Sequence, residues 1–263
     1  MRFMKKLLAL LYGIVAYVFF FATFLYAIGF VGNIGVPKSI DTGTGGPVAA
    51  AVVIDAILLS LFALQHSIMA RQGFKQRWTR VVSWHVERST FVLAASAVLA
   101  LLLWQWRAIP DKVWDVSGTT LGSAFLVTFW LGWGILLVST FLINHFELFG
   151  LQQVWSYVRG ANFHQPDFKA PSLYKVVRHP IYLGFVIAFW SAPVMTVGHL
   201  LFSVATTGYI LVGIYFEERD LIRAYGQAYR DYRARVPMLV PLFKVRSSAE
   251  SGQEQVKGRS TAA

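Results

Sequence analysis

Residues 7–31 read LLALLYGIVAYVFFFATFLYAIGFV, a stretch without a single charged side chain. The hydrocarbon core of a bilayer is about 30 Å thick, and about 20 apolar residues in a helix cross it. The stretch is longer than the roughly 7–15 apolar residues of a signal peptide, and no clear small-residue cleavage pattern follows it. We therefore predict a retained transmembrane helix at the start of the chain.

Five further stretches are apolar enough to be transmembrane helices. They are residues 48–69, with Asp55 as their one charge, and residues 91–106, 123–143, 181–197 and 200–216. Only Gly198 and His199 separate the last two stretches, which predicts a tight helical hairpin. The predicted fold class is an all-α integral membrane protein with about six transmembrane helices.

The composition supports this class and excludes several others. Of the 263 residues, 56% are apolar and 14% are charged, against about 45–50% and about 25% in an ordinary soluble domain. The absence of cysteine excludes disulfides, thiolate metal ligands and a cysteine nucleophile. The net charge of +11 would indicate nucleic acid in a soluble protein, but in a membrane protein it indicates basic cytoplasmic loops. We expect no nucleic-acid partner.

Basic and neutral connections alternate along the chain, which predicts that both termini are cytoplasmic. After Glu218, apolar and aromatic residues follow helical spacing up to Val236, which predicts a cytoplasmic amphipathic helix that ends before Pro237. Residues 1–246 are predicted to form a single membrane domain. Residues 247–263 are polar and predict a disordered cytoplasmic tail.

Polar residues gather at both ends of the predicted hairpin. Arg178 and His179 precede its first helix, where Pro180 suits the first turn, and Glu217 and Glu218 follow its second helix. Each pair lies about 19 residues from the tip, so a rise of about 1.5 Å per residue brings both pairs to one height at the cytoplasmic mouth. The alternative is an ordinary belt of interfacial charges. Two adjacent glutamates weaken that alternative, because this side of a membrane favours Lys and Arg.

The last part of the chain resembles the integral-membrane methyltransferase superfamily of isoprenylcysteine carboxyl methyltransferases and phospholipid methyltransferases. The resemblance lies in Arg178-His179-Pro180-Ile181-Tyr182-Leu183-Gly184, the Glu217-Glu218 pair, the Tyr225-Gly226 segment with Tyr229 and Tyr232, and Val236-Pro237. Met238 departs from the pattern, which often has arginine there.

The rest of the chain resembles a narrower group, the bacterial membrane methanethiol S-methyltransferases, which make dimethyl sulfide. The segments that carry this resemblance are residues 24–33, 36–41, 65–71 and 144–155. Residues 65–71, QHSIMAR, also resemble the NnrU-type proteins associated with denitrification.

The resemblance implies S-adenosyl-L-methionine as methyl donor and a small thiol as acceptor. It implies that His179, Pro180, Tyr182, Glu217 and Glu218 hold the donor, together with Tyr174. Elementary chemistry fits these residue types: a carboxylate can pair with the donor's amine or ribose hydroxyls, and Arg178 or His179 can receive its carboxylate. Aromatic faces can hold the sulfonium methyl group.

The thiol attacks best as a thiolate, so a group must take or offset its proton. Arg223 lies beside the donor motif and is a candidate for this role. The resemblance also suggests His145 and His164, and for each of them the alternative is an ordinary interfacial histidine. We predict no metal site, since His145 and Glu147 do not form a recognised ligand spacing. Haem between His66 and His179 stays open, and Asp55 is either functional or a packing hydrogen bond.

The sequence thus predicts methylation of methanethiol at the cytoplasmic face of a bacterial inner membrane. A methyltransferase for a lipid headgroup or a prenylcysteine carboxyl group is the alternative enzyme. A non-enzymatic NnrU-like membrane subunit or a transporter is the alternative from another class. The oligomeric state is not predicted. Polarity at one mouth, rather than at the bilayer midplane, favours an enzyme over a transporter.

Overall fold

The computed structural model of the chain describes residues 2–43, 46–161 and 168–241. In chain order its elements are α1 (Arg2–Gly32), α2 (Val48–Ala70), α3 (Gln72–Trp78), α4 (Trp84–Gln105), β1 (Lys112–Asp115), α5 (Thr120–Ile143), α6 (His145–Leu148), α7 (Leu151–Arg159), a 3-10 turn (Ser172–Lys175), α8 (Pro180–Trp190), β2 (Val194–Thr196), α9 (Val197–Tyr225) and α10 (Gln227–Arg235). The predicted tail, residues 247–263, lies outside the described residues.

Five of these helices are long and apolar enough to cross a membrane: α1, α2, α4, α5 and α9. The shortest, α4, has 22 residues and rises about 33 Å, which matches the thickness of the hydrocarbon core. Many of their outward-facing side chains are apolar and exposed, as lipid contact requires; examples are Val53, Trp130 and Val212. These observations confirm an all-α integral membrane protein.

The fifth predicted span differs from the helix expected over residues 181–197. Helix α8 has 11 residues and ends at Trp190, and the chain then becomes extended. Pro193 explains the early end, because its ring is incompatible with a continuing helix. Eleven helical residues rise about 16 Å, about half of the hydrocarbon core, and residues 191–196, which end in β2, connect α8 to the start of α9. The predicted tight helical hairpin at Gly198 and His199 is therefore wrong: a short strand joins α8 to α9.

Strand β2 pairs antiparallel with β1, which lies in the connection between α4 and α5. Helix α9 begins directly after β2, because the Thr196 side chain accepts a hydrogen bond from the His199 amide at 3.1 Å and caps the first turn. At the same end, Asp55 accepts a hydrogen bond from the Arg107 amide at 2.9 Å. Of the two roles that the sequence left open for Asp55, the structure shows the packing hydrogen bond.

Close backbone contact fixes α8 against α5. A Cβ atom on Gly132 would lie 2.7 Å from the Gly184 carbonyl oxygen, and one on Gly184 would lie 2.6 Å from the Gly132 carbonyl oxygen. Small residues allow membrane helices to approach this closely. Aromatic rings fill the space beside them, with Trp133 between Phe185 and Phe189. This packing sets the position of the α8 N-terminus, where the polar motif lies.

Candidate functional site

The polar site forms where the start of α8 meets the end of α9. Pro180 is the first residue of α8 and His179 immediately precedes it. The chain beyond α10 returns to this point: the Arg178 amide donates to the Pro237 carbonyl at 2.9 Å, and the His179 amide donates to the Met238 carbonyl at 3.2 Å. The Val-Pro segment and the Arg-His-Pro segment, far apart in sequence, are therefore hydrogen-bonded neighbours.

Glu218 is the centre of this site and is buried, with 5% of its surface exposed. Its Oε1 accepts from Arg178 Nε at 2.7 Å and lies 3.1 Å from His179 Nε2. Its Oε2 lies 3.0 Å from Arg233 Nε. One buried carboxylate thus faces two guanidinium groups and an imidazole, the arrangement that offsets the cost of burying its charge. We call these four residues the Glu218 cluster.

Arg233 had not been predicted as a site residue. It lies on α10, four residues after Tyr229, and Tyr229 is buried while half of the Arg233 side chain is exposed. The helical spacing of four places both on neighbouring positions of one face, which is the signal that could have identified Arg233. The sequence did not distinguish Arg233 from the other two arginines of α10, Arg230 and Arg235, which are exposed.

Arg178 also attaches α10 to the membrane helices. Besides its bond to Glu218, its Nη1 atom donates to the carbonyl oxygens of Arg233 and Val236 at the end of α10. These carbonyls have no partner further along the helix, and basic side chains commonly satisfy such groups. The same guanidinium therefore neutralises the buried glutamate and positions the C-terminal helix.

Glu217 is the accessible carboxylate of the site, with 44% of its side chain exposed. Its Oε2 accepts a hydrogen bond from the Tyr182 hydroxyl at 2.9 Å. His179 Nδ1 lies 3.9 Å from the same oxygen, so the imidazole lies between the two glutamates. The structure therefore brings together Arg178, His179, Pro180, Tyr182, Glu217 and Glu218 as the sequence predicted.

Three buried tyrosines, Tyr174, Tyr229 and Tyr232, pack beside this site, and we call them the tyrosine wall. The Tyr174 hydroxyl donates to the Ser139 carbonyl at 3.4 Å, and the Tyr174 carbonyl accepts from the Tyr232 hydroxyl at 2.6 Å. Burial raises the pKa of Tyr232 to about 12 and raises the pKa of Tyr174 and Tyr229 as well. All three hydroxyls stay protonated at neutral pH. The bond from Tyr232 to the Tyr174 carbonyl thus holds α10 against the segment that precedes α8.

Two of the predicted acceptor residues, Arg223 and His145, lie outside the Glu218 cluster. Arg223 is exposed and pairs with Asp220 at 3.1 Å. His145 Nε2 lies 2.8 Å from the Tyr17 hydroxyl and its Nδ1 lies 2.9 Å from the Thr140 hydroxyl, so α1 and α5 occupy both ring nitrogens. Burial lowers the pKa of His145. His164 lies outside the described residues.

The site carries both negative and positive charge, and two of its charged side chains are accessible from outside. Glu217 presents a negative oxygen, and Arg233 presents positive charge, each with about half of its side chain exposed. Such a surface can bind a zwitterion through charge-assisted hydrogen bonds to both of its ends. Over residues 2–43, 46–161 and 168–241, no three His, Asp or Glu side chains come together in a metal-binding group.

Comparison with known proteins places the chain in a family. Residues 44–236 match a family described as a protein of unknown function, DUF1295. The chain is 57% identical over 236 residues to methanethiol S-methyltransferase 1 of Bradyrhizobium diazoefficiens, covering 90% of this chain and 83% of that protein. It is 54% identical over 238 residues to the methanethiol S-methyltransferase of Mycobacterium tuberculosis, covering 90% of this chain and 98% of that protein. No solved structure matches the chain. At this identity and coverage, the chain belongs to the methanethiol S-methyltransferase family.

Proposed function

We propose that this protein transfers a methyl group from S-adenosyl-L-methionine to methanethiol and releases dimethyl sulfide. The observation that carries the proposal is the Glu218 cluster with the accessible Glu217 beside it, in a chain that is more than half identical to proteins named for this reaction. Methylation of a lipid headgroup or of a prenylcysteine carboxyl group is not favoured, since those relatives are named for methanethiol.

The residues of the site fit this donor. Glu217, with its exposed oxygen, would hold the donor's ammonium group or ribose hydroxyls. Arg178 and Arg233 together carry one more positive charge than Glu218 neutralises, and this surplus, with the His179 ring beside it, would receive the donor's carboxylate. Tyr182 orients Glu217 through its hydroxyl. Pro180 and Tyr174 position the start of α8 and the tyrosine wall. The bound donor supplies a methyl group on a positively charged sulfur.

The acceptor must lose its thiol proton before or during methyl transfer, and the site must exclude water. Where the proton has left first, transfer from a sulfonium to the thiolate removes two opposite charges, so a dry site favours it over water. The buried faces of α8 and α9 provide such surroundings next to Glu218. Arg223 pairs with Asp220, and His145 contacts the Tyr17 and Thr140 hydroxyls. To assist the acceptor, either residue would first have to leave these partners.

We propose further that the site faces the cytoplasm of the bacterial inner membrane. Basic side chains concentrate at the end of the bundle that carries the Glu218 cluster, among them Lys6, Arg71, Arg77 and Arg80, and this bias marks the cytoplasmic side. The donor is a soluble, charged metabolite, so a cytoplasmic mouth gives it direct access.

The test is an assay of membranes that contain the expressed chain. Methanethiol and S-adenosyl-L-methionine are added, and dimethyl sulfide is measured in the headspace. Glu217→Gln removes one charge-assisted contact, worth about 1.5–3 kcal/mol, so we expect the donor Kd to rise about 10- to 100-fold. Asp115→Asn, an exposed carboxylate at the opposite end of the bundle, is the matched control. Folded protein that forms no dimethyl sulfide would refute the proposed reaction.

A further inference from the structure

A second group of polar side chains lies inside the membrane-spanning part of the bundle. It consists of Gln65, His66 and Ser67 on α2 and Tyr209 on α9, and we call it the α2–α9 cluster. The Ser67 and Tyr209 hydroxyl oxygens are 3.2 Å apart. Polar side chains inside membrane helices are costly and usually mark functional sites.

His66 has an unusual environment for a histidine. Its ring lies 5.0 Å from that of Phe91, 5.5 Å from that of Phe62 and 6.5 Å from that of Tyr209, measured between centroids. Its Nδ1 atom is enclosed and has no hydrogen-bond partner among the described residues, and the same holds for Gln65 Oε1. An enclosed acceptor without a donor destabilises the folded protein. A small apolar ligand with one weak donor would satisfy Nδ1 and fit the surrounding rings.

The α2–α9 cluster is connected to the donor site. Arg71, at the end of α2, lies 3.5 Å from Asp220 on α9 and its guanidinium lies 4.0 Å from the Phe216 ring centroid. His66 is five residues earlier on α2, about 7.5 Å deeper along the helix. Phe216 immediately precedes Glu217, which accepts a hydrogen bond from the Tyr182 hydroxyl. The end of α2 that carries His66 therefore packs beside the end of α9 that carries Glu217.

We infer that the α2–α9 cluster binds the acceptor thiol and that His66 Nδ1 takes the thiol proton. This inference rests on the proposed function. The thiol sulfur forms a bond to the methyl carbon while the carbon's bond to the donor sulfur breaks, and that electron pair stays on the donor sulfur. The thiol proton passes to His66, which later releases it to water. The positive charge thus moves from the sulfonium to the imidazolium, so the net charge of the site is unchanged during the transfer.

A buried imidazole is a sufficient base for this step. As the new carbon–sulfur bond forms, positive charge develops on the attacking sulfur and its S–H group becomes strongly acidic. The ligand class follows from the surroundings: Phe62 and Phe91 fit a short aliphatic thiol. His66 and Tyr209 are only partly buried, on helices whose outer surface faces lipid. A neutral thiol dissolved in the bilayer can reach them from the side.

The experiment compares three variants of the full-length chain. His66→Phe keeps an aromatic ring and removes both nitrogens. His66→Asn places an amide oxygen near the position of Nδ1 but cannot take a proton. His85→Phe makes the same change on α4, where His85 stacks on Tyr157 at 3.7 Å. For each variant we would measure dimethyl sulfide formation, the donor Kd, and saturation-transfer NMR of methanethiol in the absence of donor.

We expect His66→Phe to lower kcat/KM for methanethiol by about 100-fold or more, the usual contribution of a general base, and to abolish the thiol NMR signal. His66→Asn should retain the signal and lose turnover by a similar factor. The donor Kd should stay within about threefold in both, and His85→Phe should match the unsubstituted chain.

Unchanged turnover in His66→Phe, or loss of donor affinity in parallel with turnover, would overturn the inference. If His66→Phe does not fold, His66→Asn and Tyr209→Phe decide by the same criteria, with Tyr209→Phe expected to weaken the thiol signal. The unsubstituted chain separates the two proposals. Its failure to make dimethyl sulfide refutes the proposed function, whereas a thiol signal that persists in His66→Phe refutes only the role of His66.

Discussion

At the scale of single residues, Glu218 determines how the site is held together. Arg178, His179 and Arg233 all contact its carboxylate, and Arg178 and His179 are nearly as buried as Glu218 itself. Counting residues from the hairpin tip predicted that His179 and Glu218 would meet, because both helices were assumed to rise at the same rate. The meeting is observed even though α8 is short, because the extended segment before α9 supplies the missing length.

Replacing Glu218 by Gln should lower the free energy of unfolding by about 3–5 kcal/mol, because Arg178 would be left buried without a counter-charge. The measurement is chemical unfolding in detergent micelles. Glu217→Gln is the matched control, since its carboxylate is 44% exposed and contributes at most about 1 kcal/mol to stability. Equal stability of the two variants would contradict the assigned role of Glu218.

At the scale of elements, the sequence predicted the helix after Glu218 but not its break. Helix α9 ends at Tyr225, and Gly226 adopts φ 58° and ψ −125° before α10 begins. This conformation is essentially restricted to glycine. The turn redirects α10, so that Tyr229 and Tyr232 are buried and Arg233 reaches Glu218. Helical periodicity alone could not reveal it, since the apolar face continues in register on both sides of the break.

Gly226→Ala tests the importance of this turn. A Cβ atom at Gly226 meets no neighbour within 4 Å, so the effect comes from backbone strain, at about 1–3 kcal/mol. We expect α10 to detach more readily, with faster trypsin cleavage after Arg233 and Arg235 and a weaker donor affinity. Gly208→Ala is the control: that glycine is inside α9 and also has open space around it. Gly208→Ala should be neutral or stabilising.

The early end of α8 marks another limit of prediction at this scale. The apolar run over residues 181–197 predicts a membrane helix by hydropathy, and the extended segment after Trp190 is equally apolar. Its backbone groups are satisfied by β1 and by the connection after α4, through bonds such as the Val116 amide to the Pro193 carbonyl at 2.9 Å. Such pairing depends on a distant segment, which local periodicity does not contain.

At the scale of the whole molecule, the two ends of the bundle differ in charge. The end with the Glu218 cluster carries basic connections, and their side chains contact carbonyl oxygens there, as Lys6 does with Val158 at 2.8 Å and Arg88 with Leu148 at 2.8 Å. At the other end, the Thr196 hydroxyl of β2 donates to Asp41 in the chain after α1, and charges are balanced within β1 by the pair of Lys112 with Asp115. The charge alternation in the sequence predicted this separation because each crossing exchanges the side on which a connection lies.

This asymmetry predicts that α10 faces the cytoplasm and β1 the opposite side. The chain contains no cysteine, so a single introduced cysteine is the one thiol of this chain that the reagent can label. Val113→Cys in β1 and Ala228→Cys in α10 are both at exposed positions. A membrane-impermeant maleimide should label Cys at position 113 in intact cells with a permeable outer envelope, and Cys at position 228 only after the inner membrane is opened. Labelling of position 228 in intact cells, with position 113 protected, would reverse the orientation and place the donor site on the side that S-adenosyl-L-methionine does not reach.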